Sequence, residues 1–312
     1  MKKQKEHKHM GKRIVLGAMF LILAAVCITI YQNTTIVVSN YLVESEKITS
    51  DFDGYQILQL TDLHSTTQSM VEKTVAIVNE QKPDLIVITG DLIDSTVYNK
   101  ELQAYNAGES GEIPGTRMLQ MLEQIKEVAP IYFIYGNHEM MLLDDPQNNS
   151  FKVALEEMGV QILNINNATI TKGNTSINLL GIQDPATLYK DTTYAYVDST
   201  ESRVKMMLNE VTDGVDTHNF TILLSHRPEY FEVYQEYDID LALTGHAHGG
   251  QFRIPFIGGI YAPNQGYFPT YDKGVYESDN FKMIVGVGIG NSKIPVRIFN
   301  TPEIVVVTLK TK

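Results

Sequence analysis

The sequence predicts an α/β protein, or α+β in some schemes, because strand-like and helix-like segments alternate along most of its 312 residues. Residues 55–61 form a short apolar run, and residues 70–81 follow with apolar side chains at helical spacing. The last apolar runs, 282–290 and 303–310, are again strand-like and indicate a second sheet. A content of 43% apolar and 20% charged residues is typical of a folded protein with a sizeable core.

The first 31 residues predict a membrane anchor. Residues 1–13 carry six lysines and arginines against one glutamate, and residues 14–31 carry no charge. As a helix the uncharged run measures about 27 Å, close to the hydrocarbon thickness of a bilayer. We therefore expect a single-pass protein of the cell membrane, with a cytoplasmic N-terminus and an extracytoplasmic body. The alternative is a cleaved signal peptide.

Residues 32–47 are expected to form a short stalk and a first strand, and residues 48–312 the remaining folded domain. Outside the basic tail the chain carries 36 acidic against 19 basic residues. A nucleic-acid partner is not expected, because phosphate contacts need a cationic face. The single cysteine, Cys27, excludes an intramolecular disulfide framework and a cysteine-rich zinc site.

Strands are predicted where short β-branched apolar runs occur, and helices where apolar residues recur every three or four positions. Further strands are expected at 84–90, 130–136, 174–182, 220–226 and 239–245, and further helices at 116–127, 151–159 and 201–211. The helix over 70–81 ends before Pro83, and the helix over 151–159 ends at a glycine. Residues 95–115 are polar and long for a connection, so they form either a lid or a tolerated loop.

Five of the predicted strands end in side chains that can bind metal ions. In chain order these are Asp62 and His64, then Asp91 and Asp94, then Asn137, His138 and Glu139, then His226, and last His246 and His248. Five of the eight histidines lie at these ends. Each motif alone is common turn chemistry. Together they predict a metal site, since ligands bind at the carboxyl ends of strands in an open α/β sheet.

The motifs Asp-x-His, Gly-Asp-x-x-Asp, Gly-Asn-His-Glu, His and Gly-His-x-His, in this order, resemble those of the calcineurin-like metallophosphoesterases, which are binuclear-metal phosphoester hydrolases. The resemblance runs from about residue 55 to the C-terminus. The extensions GHAHGGQFRIPFIGGIYAP and GNSKIPVRIFNTPEIVVVTLK resemble the membrane-anchored bacterial branch that includes hydrolases of UDP-2,3-diacylglucosamine-type pyrophosphates. This resemblance implies that residues 48–312 are a catalytic domain, built as a four-layer αββα sandwich of two mixed sheets.

The resemblance also implies a role for each metal-competent side chain. Two divalent ions are expected, the first bound by Asp62, His64 and His248, the second by Asn137, His226 and His246, with Asp91 bridging them. Oxygen and nitrogen ligands without sulfur suit Mn, Fe or Zn. A hydroxide that bridges the metals would attack phosphorus. His138 would be the general acid, paired with Asp94, for which a helix or turn cap is the alternative.

The motif GDLIDST departs from that of the protein Ser/Thr phosphatases, in which arginine and glycine follow the second aspartate. That difference argues against a protein substrate and favours a small or lipid-linked phosphoester. Arg227 could approach a phosphate or form an exposed salt bridge, and Glu139 is expected to be a solvated or capping carboxylate. The flanks IPFIGGIYAP and GYFPTY could contact an acyl chain or the bilayer, or form a packed β-meander.

We therefore expect a membrane-anchored dimetal phosphoester hydrolase that acts on a lipid-linked or nucleotide-linked phosphodiester or pyrophosphate. One alternative is a phosphodiesterase that acts on soluble nucleotides. The other is a non-catalytic scaffold of the same fold. No substrate-binding residue and no oligomeric state follow from the sequence.

Overall fold

The computed structural model describes residues 2–142, 150–185, 199–291 and 294–312, so Met1 of the predicted tail and residues 292–293 of the closing motif lie outside the described residues. The helices are α1 (Lys2–Thr34), α2 (Gln68–Gln81), α3 (Ser95–Asn106), α4 (Thr116–Ile125), α5 (Asn137–Met140), α6 (Ser150–Glu157), α7 (Thr200–Thr212) and α8 (Phe231–Tyr234). The strands are β1 (Val37–Ser45), β2 (Gln56–Leu60), β3 (Leu85–Thr89), β4 (Ile131–Ile134), β5 (Gln161–Ile162), β6 (Asn166–Lys172), β7 (Thr175–Gly181), β8 (Thr221–Leu224), β9 (Leu241–Thr244), β10 (Arg253–Ile254), β11 (Gly258–Gly259), β12 (Tyr261–Ala262), β13 (Gly266–Tyr267), β14 (Gly274–Ser278), β15 (Phe281–Val285) and β16 (Glu303–Thr311).

These strands pair into two mixed six-stranded sheets. The first sheet has the order β1-β16-β2-β3-β4-β5, with β2 to β5 parallel and β16 antiparallel to β2. The second sheet has the order β14-β15-β9-β8-β7-β6, with β15, β9, β8 and β7 parallel and an antiparallel strand at each edge. Each sheet thus has a parallel centre, whose strands end at the same edge.

Three apolar clusters divide the molecule into four layers. Side chains of the first sheet, such as Val87, pack between the sheets against side chains of the second, such as Leu243. Helices α2, α4 and α6 cover the outer face of the first sheet, and α7 and α8 cover that of the second. Central strands are buried on both faces, which explains their continuous apolar sequences. The predicted αββα sandwich of two mixed sheets is confirmed.

The closing strands do not both belong to the second sheet. β15 pairs with β9 in the second sheet, whereas β16 returns to the first sheet and lies between β1 and β2. An apolar run predicts a buried strand but carries no information about its partner. The strands β6 and β14 were also missed, because they are sheet edges with largely polar or exposed side chains.

Part of the predicted insertion is helical. α3 occupies Ser95–Asn106, and the Asp94 side chain accepts hydrogen bonds from the backbone of Thr96 and Val97, 2.9 Å each. An N-cap of this kind stabilises the first turn of a helix by about 1 kcal/mol. Residues 95–106 are therefore not a loop, and the irregular connection is limited to the residues between α3 and α4.

The apolar helix near the N-terminus is longer than predicted. α1 continues to Thr34, and its segment Val15–Thr34 has a mean hydropathy of 2.2, with none of its described side chains buried. Its length and composition suffice to cross a bilayer, although a signal sequence meets the same criteria. Within the predicted stalk and first strand, residues 32–47, β1 starts at Val37 and pairs with β16 along its whole length.

Candidate metal centre

Asp62, His64 and His248 form a first group of potential ligands, located after the C-terminal ends of β2 and β9. Their ligand atoms all lie within 4.8 Å of one another, and all three residues are buried. His64 Nε2 lies 3.0 Å from His248 Nε2, and Asp62 Oδ1 lies 3.4 Å from His248 Nε2. Three donor atoms thus point at one volume.

Asp91, His226 and His246 form a second buried group, located after the C-terminal ends of β3, β8 and β9. His246 Nδ1 lies 3.1 Å from His226 Nε2, which lies 3.2 Å from Asp91 Oδ2. The same Asp91 oxygen lies 3.5 Å from His64 Nε2 of the first group. Asp91 Oδ2 therefore faces both groups.

The backbone leaves strand geometry where these ligands begin. Asp62, His64, Asp91, His246 and His248 all have positive φ angles, between 47° and 64°. Such conformations are uncommon for residues other than glycine and are concentrated at functional sites. Residues two apart share a face of a strand. Because β9 has already ended, His246 and His248 instead point into different groups.

Two glycines allow the ligand loops to approach each other. A Cβ atom on Gly245 would overlap Thr61 Oγ1 and Asp62 Oδ2, and one on Gly136 would overlap Asp91 Oδ1. Any side chain at these positions would push the carboxylates of Asp62 and Asp91 away from the histidines. The glycines before the ligand blocks are therefore required by close contact.

Neighbouring groups orient the ring nitrogens of two histidines. His226 Nδ1 lies 2.8 Å from the carbonyl oxygen of Thr89, and His246 Nε2 lies 3.2 Å from Asn264 Oδ1. In each contact the oxygen accepts a hydrogen bond from one ring nitrogen, so the other ring nitrogen is free to act as a metal ligand. For His226 that nitrogen is Nε2 and for His246 it is Nδ1, and these are the atoms that face each other.

His138 and Asp94 lie beside the first group. His138 Nδ1 is 3.6 Å from Asp94 Oδ2 and accepts a 2.9 Å hydrogen bond from the backbone of Ser95. Asp94 caps α3 with Oδ1 and presents Oδ2 to the histidine. The helix cap is therefore present on Oδ1, while Oδ2 lies near His138 Nδ1 without a hydrogen bond to it.

The donor set fits divalent cations. Asn137 Oδ1 is buried and has no hydrogen-bond partner among the described residues. Two pairs of imidazole nitrogens face each other at 3.0 and 3.1 Å. Nitrogen and oxygen donors that converge on a shared point, with a carboxylate between two such points, are the arrangement of a two-metal site.

A model of the calcineurin-like phosphoesterases matches residues 55–250, which span β2 through His246 and His248.

The chain belongs to the calcineurin-like phosphoesterases.

Curated relatives agree with this family. The chain is 29% identical to an uncharacterized metallophosphoesterase, YkuE of Bacillus subtilis, over 97% of this chain and 99% of the relative. It is 27% identical to a zebrafish transmembrane protein with a metallophosphoesterase domain, over 85% of this chain and 55% of the relative. It is also 27% identical to the phosphodiesterase YaeI of Escherichia coli, over 67% of this chain and 66% of the relative. The protein is a metal-dependent phosphoester hydrolase.

Burial and mutual attraction change the pKa values of the candidate ligands in the phosphoesterase centre. Burial raises the pKa of Asp62 to about 6 and lowers the pKa of His64 to about 4. Burial also acts on the pair Asp91 and His226, but their mutual attraction outweighs it: the pKa of Asp91 lies well below its usual range, and that of His226 is raised to about 10. Metal binding to these two residues would require a neutral His226, because an imidazole binds a metal ion through an unprotonated nitrogen.

Arg227 does not form the exposed salt bridge that was one of its two expected roles. It is buried, and its guanidinium binds both oxygens of Asp184, with Nε–Oδ2 and Nη2–Oδ1 distances of 2.5 and 3.0 Å. Its Nη1 also donates to Asn264 Oδ1 at 2.5 Å. Arg227 therefore holds Asn264 against His246. Neither Asn264 nor Asp184 was predicted, because neither follows a strand that bears another ligand.

We expect Asn264→Ala to weaken metal binding by roughly 10- to 100-fold, as is typical when an outer hydrogen bond to a ligating histidine is lost. The substitution removes the acceptor of His246 Nε2 and a partner of Arg227. Titration calorimetry with Mn²⁺ measures the change. Asn79→Ala, at an exposed asparagine of α2, is the matched control. Equal affinities of Asn264→Ala and the control would contradict an orienting role.

Glu139 is not solvated. It is buried, and its carboxylate accepts hydrogen bonds from the backbone N–H groups of Asp91, Ile93 and Gly136, at 2.8, 3.0 and 2.9 Å. Burial, together with the Asp91 carboxylate, raises the pKa of Glu139 to about 8. Of its two expected roles, solvated or capping carboxylate, Glu139 has the second, because it caps α5. Its hydrogen bonds also fix the turn that contains Asp91.

We expect Glu139→Ala to lower the free energy of unfolding by about 3–5 kcal/mol, because three buried N–H donors lose their acceptor. Urea unfolding followed by circular dichroism gives the difference. Glu157→Ala, at an exposed carboxylate of α6, is expected to change stability by less than about 0.5 kcal/mol. A similar small change for Glu139→Ala would mean that water replaces the carboxylate.

Proposed function

We propose that this calcineurin-like phosphoesterase is a membrane-anchored enzyme with two metal ions, and that it hydrolyses a lipid-linked or nucleotide-linked phosphodiester or pyrophosphate outside the cytoplasm. The observation that carries the hydrolytic chemistry is the position of Asp91 Oδ2, which lies 3.2 Å from His226 Nε2 and 3.5 Å from His64 Nε2. One carboxylate oxygen placed between two ligand groups has little use other than holding two cations.

Two groups of side chains would hold these cations. One ion would be bound by Asp62, His64 and His248, the other by Asn137, His226 and His246, and both by Asp91. When bound, such a pair acidifies water to give the nucleophile and neutralises the charge that develops on the phosphoryl oxygens. Mn, Fe and Zn suit the oxygen and nitrogen donors. Relatives named metallophosphoesterase support this assignment.

His138 would donate a proton to the leaving oxygen. Its side chain is 23% exposed, so a substrate can reach it, and its ring lies 4.7 Å from that of His64. A general acid at this position must carry protons on both nitrogens. The Nδ1 proton would then replace the bond from Ser95 and face Asp94 Oδ2, 3.6 Å away, whose negative charge stabilises the imidazolium.

Two observations support a substrate at the membrane. The last turn of α1 is hydrogen bonded to the loop of Arg297, a buried residue whose guanidinium lies 3.4 Å from His248 Nδ1. Ser95, whose backbone N–H contacts His138, stands where protein phosphatases continue with arginine, which argues against a protein substrate and leaves a small or lipid-linked phosphoester. The zebrafish relative is named a transmembrane protein, and the relative YaeI a phosphodiesterase.

Metal analysis and a substrate panel test this proposal on the purified full-length protein. We expect about two ions per chain, and Mn²⁺-dependent hydrolysis of an artificial phosphodiester. Phosphoesters in mixed micelles should be hydrolysed faster than soluble nucleotides. Fewer ions together with no hydrolysis would overturn the enzyme assignment, and faster turnover of soluble nucleotides would favour the nucleotide phosphodiesterase.

The orientation is tested separately in intact cells. Protease added from outside is expected to cleave the phosphoesterase domain, because the basic residues 2–13 precede the apolar segment Val15–Thr34. Complete protection in intact cells, with cleavage after lysis, would place the domain in the cytoplasm instead.

A further inference from the structure

Two segments next to the metal centre expose large apolar side chains. They are residues 253–268 and 294–299, together called the apolar arm. Their exposed side chains include Phe256, Tyr267, Ile257, Phe268, Phe299 and Ile294, with exposed fractions from 108% down to 47%. In a water-soluble surface such side chains are usually scattered singly. Their concentration here indicates a surface that contacts an apolar phase.

The two segments are one continuous surface. The backbone N–H of Arg253 donates to the Ile298 carbonyl at 2.9 Å, and Phe252 forms a parallel bridge with Ile298. The Gln251 side-chain amide donates to the carbonyls of Ile294 and Val296, 2.8 Å each. Contacts of this kind hold the hairpins of 253–268 against the loop 294–299.

The apolar helix ends on this surface. Asn33 Nδ2 donates to the Arg297 carbonyl and Asn33 Oδ1 accepts from the Arg297 backbone, both at 2.8 Å. The Phe299 backbone donates to Gln32 Oε1 at 3.0 Å. The segment Val15–Thr34, which can cross a bilayer, therefore leaves the folded domain at the apolar arm and not at a distant edge.

The apolar arm also differs from the rest of the domain in charge. Residues 253–268 and 294–299 contain no aspartate or glutamate, although the chain as a whole carries 37. Of their two arginines, Arg253 is paired with Asp272 at 2.8 Å and Arg297 is buried. An acidic surface would be repelled by anionic lipids. A neutral surface rich in Phe, Ile and Tyr is typical of the interface between membrane and water.

We propose that the apolar arm inserts into the interfacial layer of the same bilayer that α1 crosses. This inference rests on the proposed membrane location. Its consequence for the enzyme is direct, because the arm borders the metal centre: Asn264 lies between β12 and β13 and contacts His246, and Arg253 Nη1 donates to the Gly249 carbonyl at 2.7 Å. The centre thus lies at the bilayer surface, where an amphiphilic phosphoester can reach it without leaving the membrane.

A single tryptophan tests the insertion, because the chain contains none. The full-length variant Phe256→Trp is reconstituted into phosphatidylcholine vesicles, with or without bromine on the acyl chains. We expect blue-shifted emission and a strong loss of intensity in brominated vesicles. Val153→Trp, at a 39% exposed position of α6 on the outer face of the first sheet, is the control and should show neither effect.

Flotation of the unmodified chain with vesicles separates the two levels of the proposal. Failure to float contradicts the membrane location itself. Flotation combined with emission of Phe256→Trp that matches the Val153→Trp control contradicts insertion of the apolar arm alone. Blue-shifted emission that brominated lipid does not quench would mean that a second copy of the chain covers the surface, which also overturns insertion.

Discussion

Asp91→Ala is expected to remove both metal ions and to lower turnover by more than about 10³-fold, since metal ions contribute several kcal/mol to phosphoryl transfer. Asp91 Oδ2 faces both ligand groups, through His64 Nε2 and His226 Nε2. The loss of any other ligand affects one group directly, whereas the loss of Asp91 affects two. Removing Asp91 also removes the charge that raises the pKa of the buried His226.

Elemental analysis of the purified variant gives the metal content, and hydrolysis of an artificial phosphodiester in saturating Mn²⁺ gives the turnover. Asp84→Ala is the matched control, because Asp84 precedes the same strand, β3, at its opposite end and contacts the backbone of Gln56. We expect the control to keep both ions. An Asp91→Ala protein that retains two ions per chain would show that the two groups are independent sites.

The residues of the candidate metal centre could be predicted from the sequence because parallel strands end at the same edge of a sheet. Asp62, Asp91 and His226 directly follow buried strands whose apolar sequences are recognisable. Once these strands are placed side by side, the ligands meet without further information. The separation of His246 from His248 was also foreseeable, since Gly245 and the glycines after His248 end the strand geometry.

Other contacts could not be predicted, because they depend on packing between segments distant in sequence. Asn264 reaches His246 only through the path of the hairpin β12–β13, and Arg227 is held by Asp184, 43 residues away. Nothing in the composition of these segments marks them. The docking of Asn33 on Arg297, 264 residues apart, is of the same kind. The candidate ligands could be inferred from the sequence, but the groups that orient them could not.

His138→Ala is expected to keep both metal ions and to lose about 10²–10⁴-fold in kcat, the usual contribution of a general acid. The backbone of His138 contacts Asp91: its N–H donates to Asp91 Oδ1 at 3.0 Å, and alanine preserves that bond. Metal content and kcat are measured on the same preparation. Loss of the metals in His138→Ala would mean that the imidazole is a ligand and not the acid.

Asp94→Asn separates the two roles of Asp94. Asparagine caps a helix as well as aspartate does, so α3 should be retained. The charge that faces His138 Nδ1 at 3.6 Å is lost, so the imidazolium form of the acid loses its neighbouring carboxylate and kcat should fall. In His138→Ala the same substitution should have no additional effect on kcat, because the two residues act as a unit. Equal losses in both backgrounds would show that Asp94 acts through α3 or His64 instead, and the histidine would then work without a carboxylate partner.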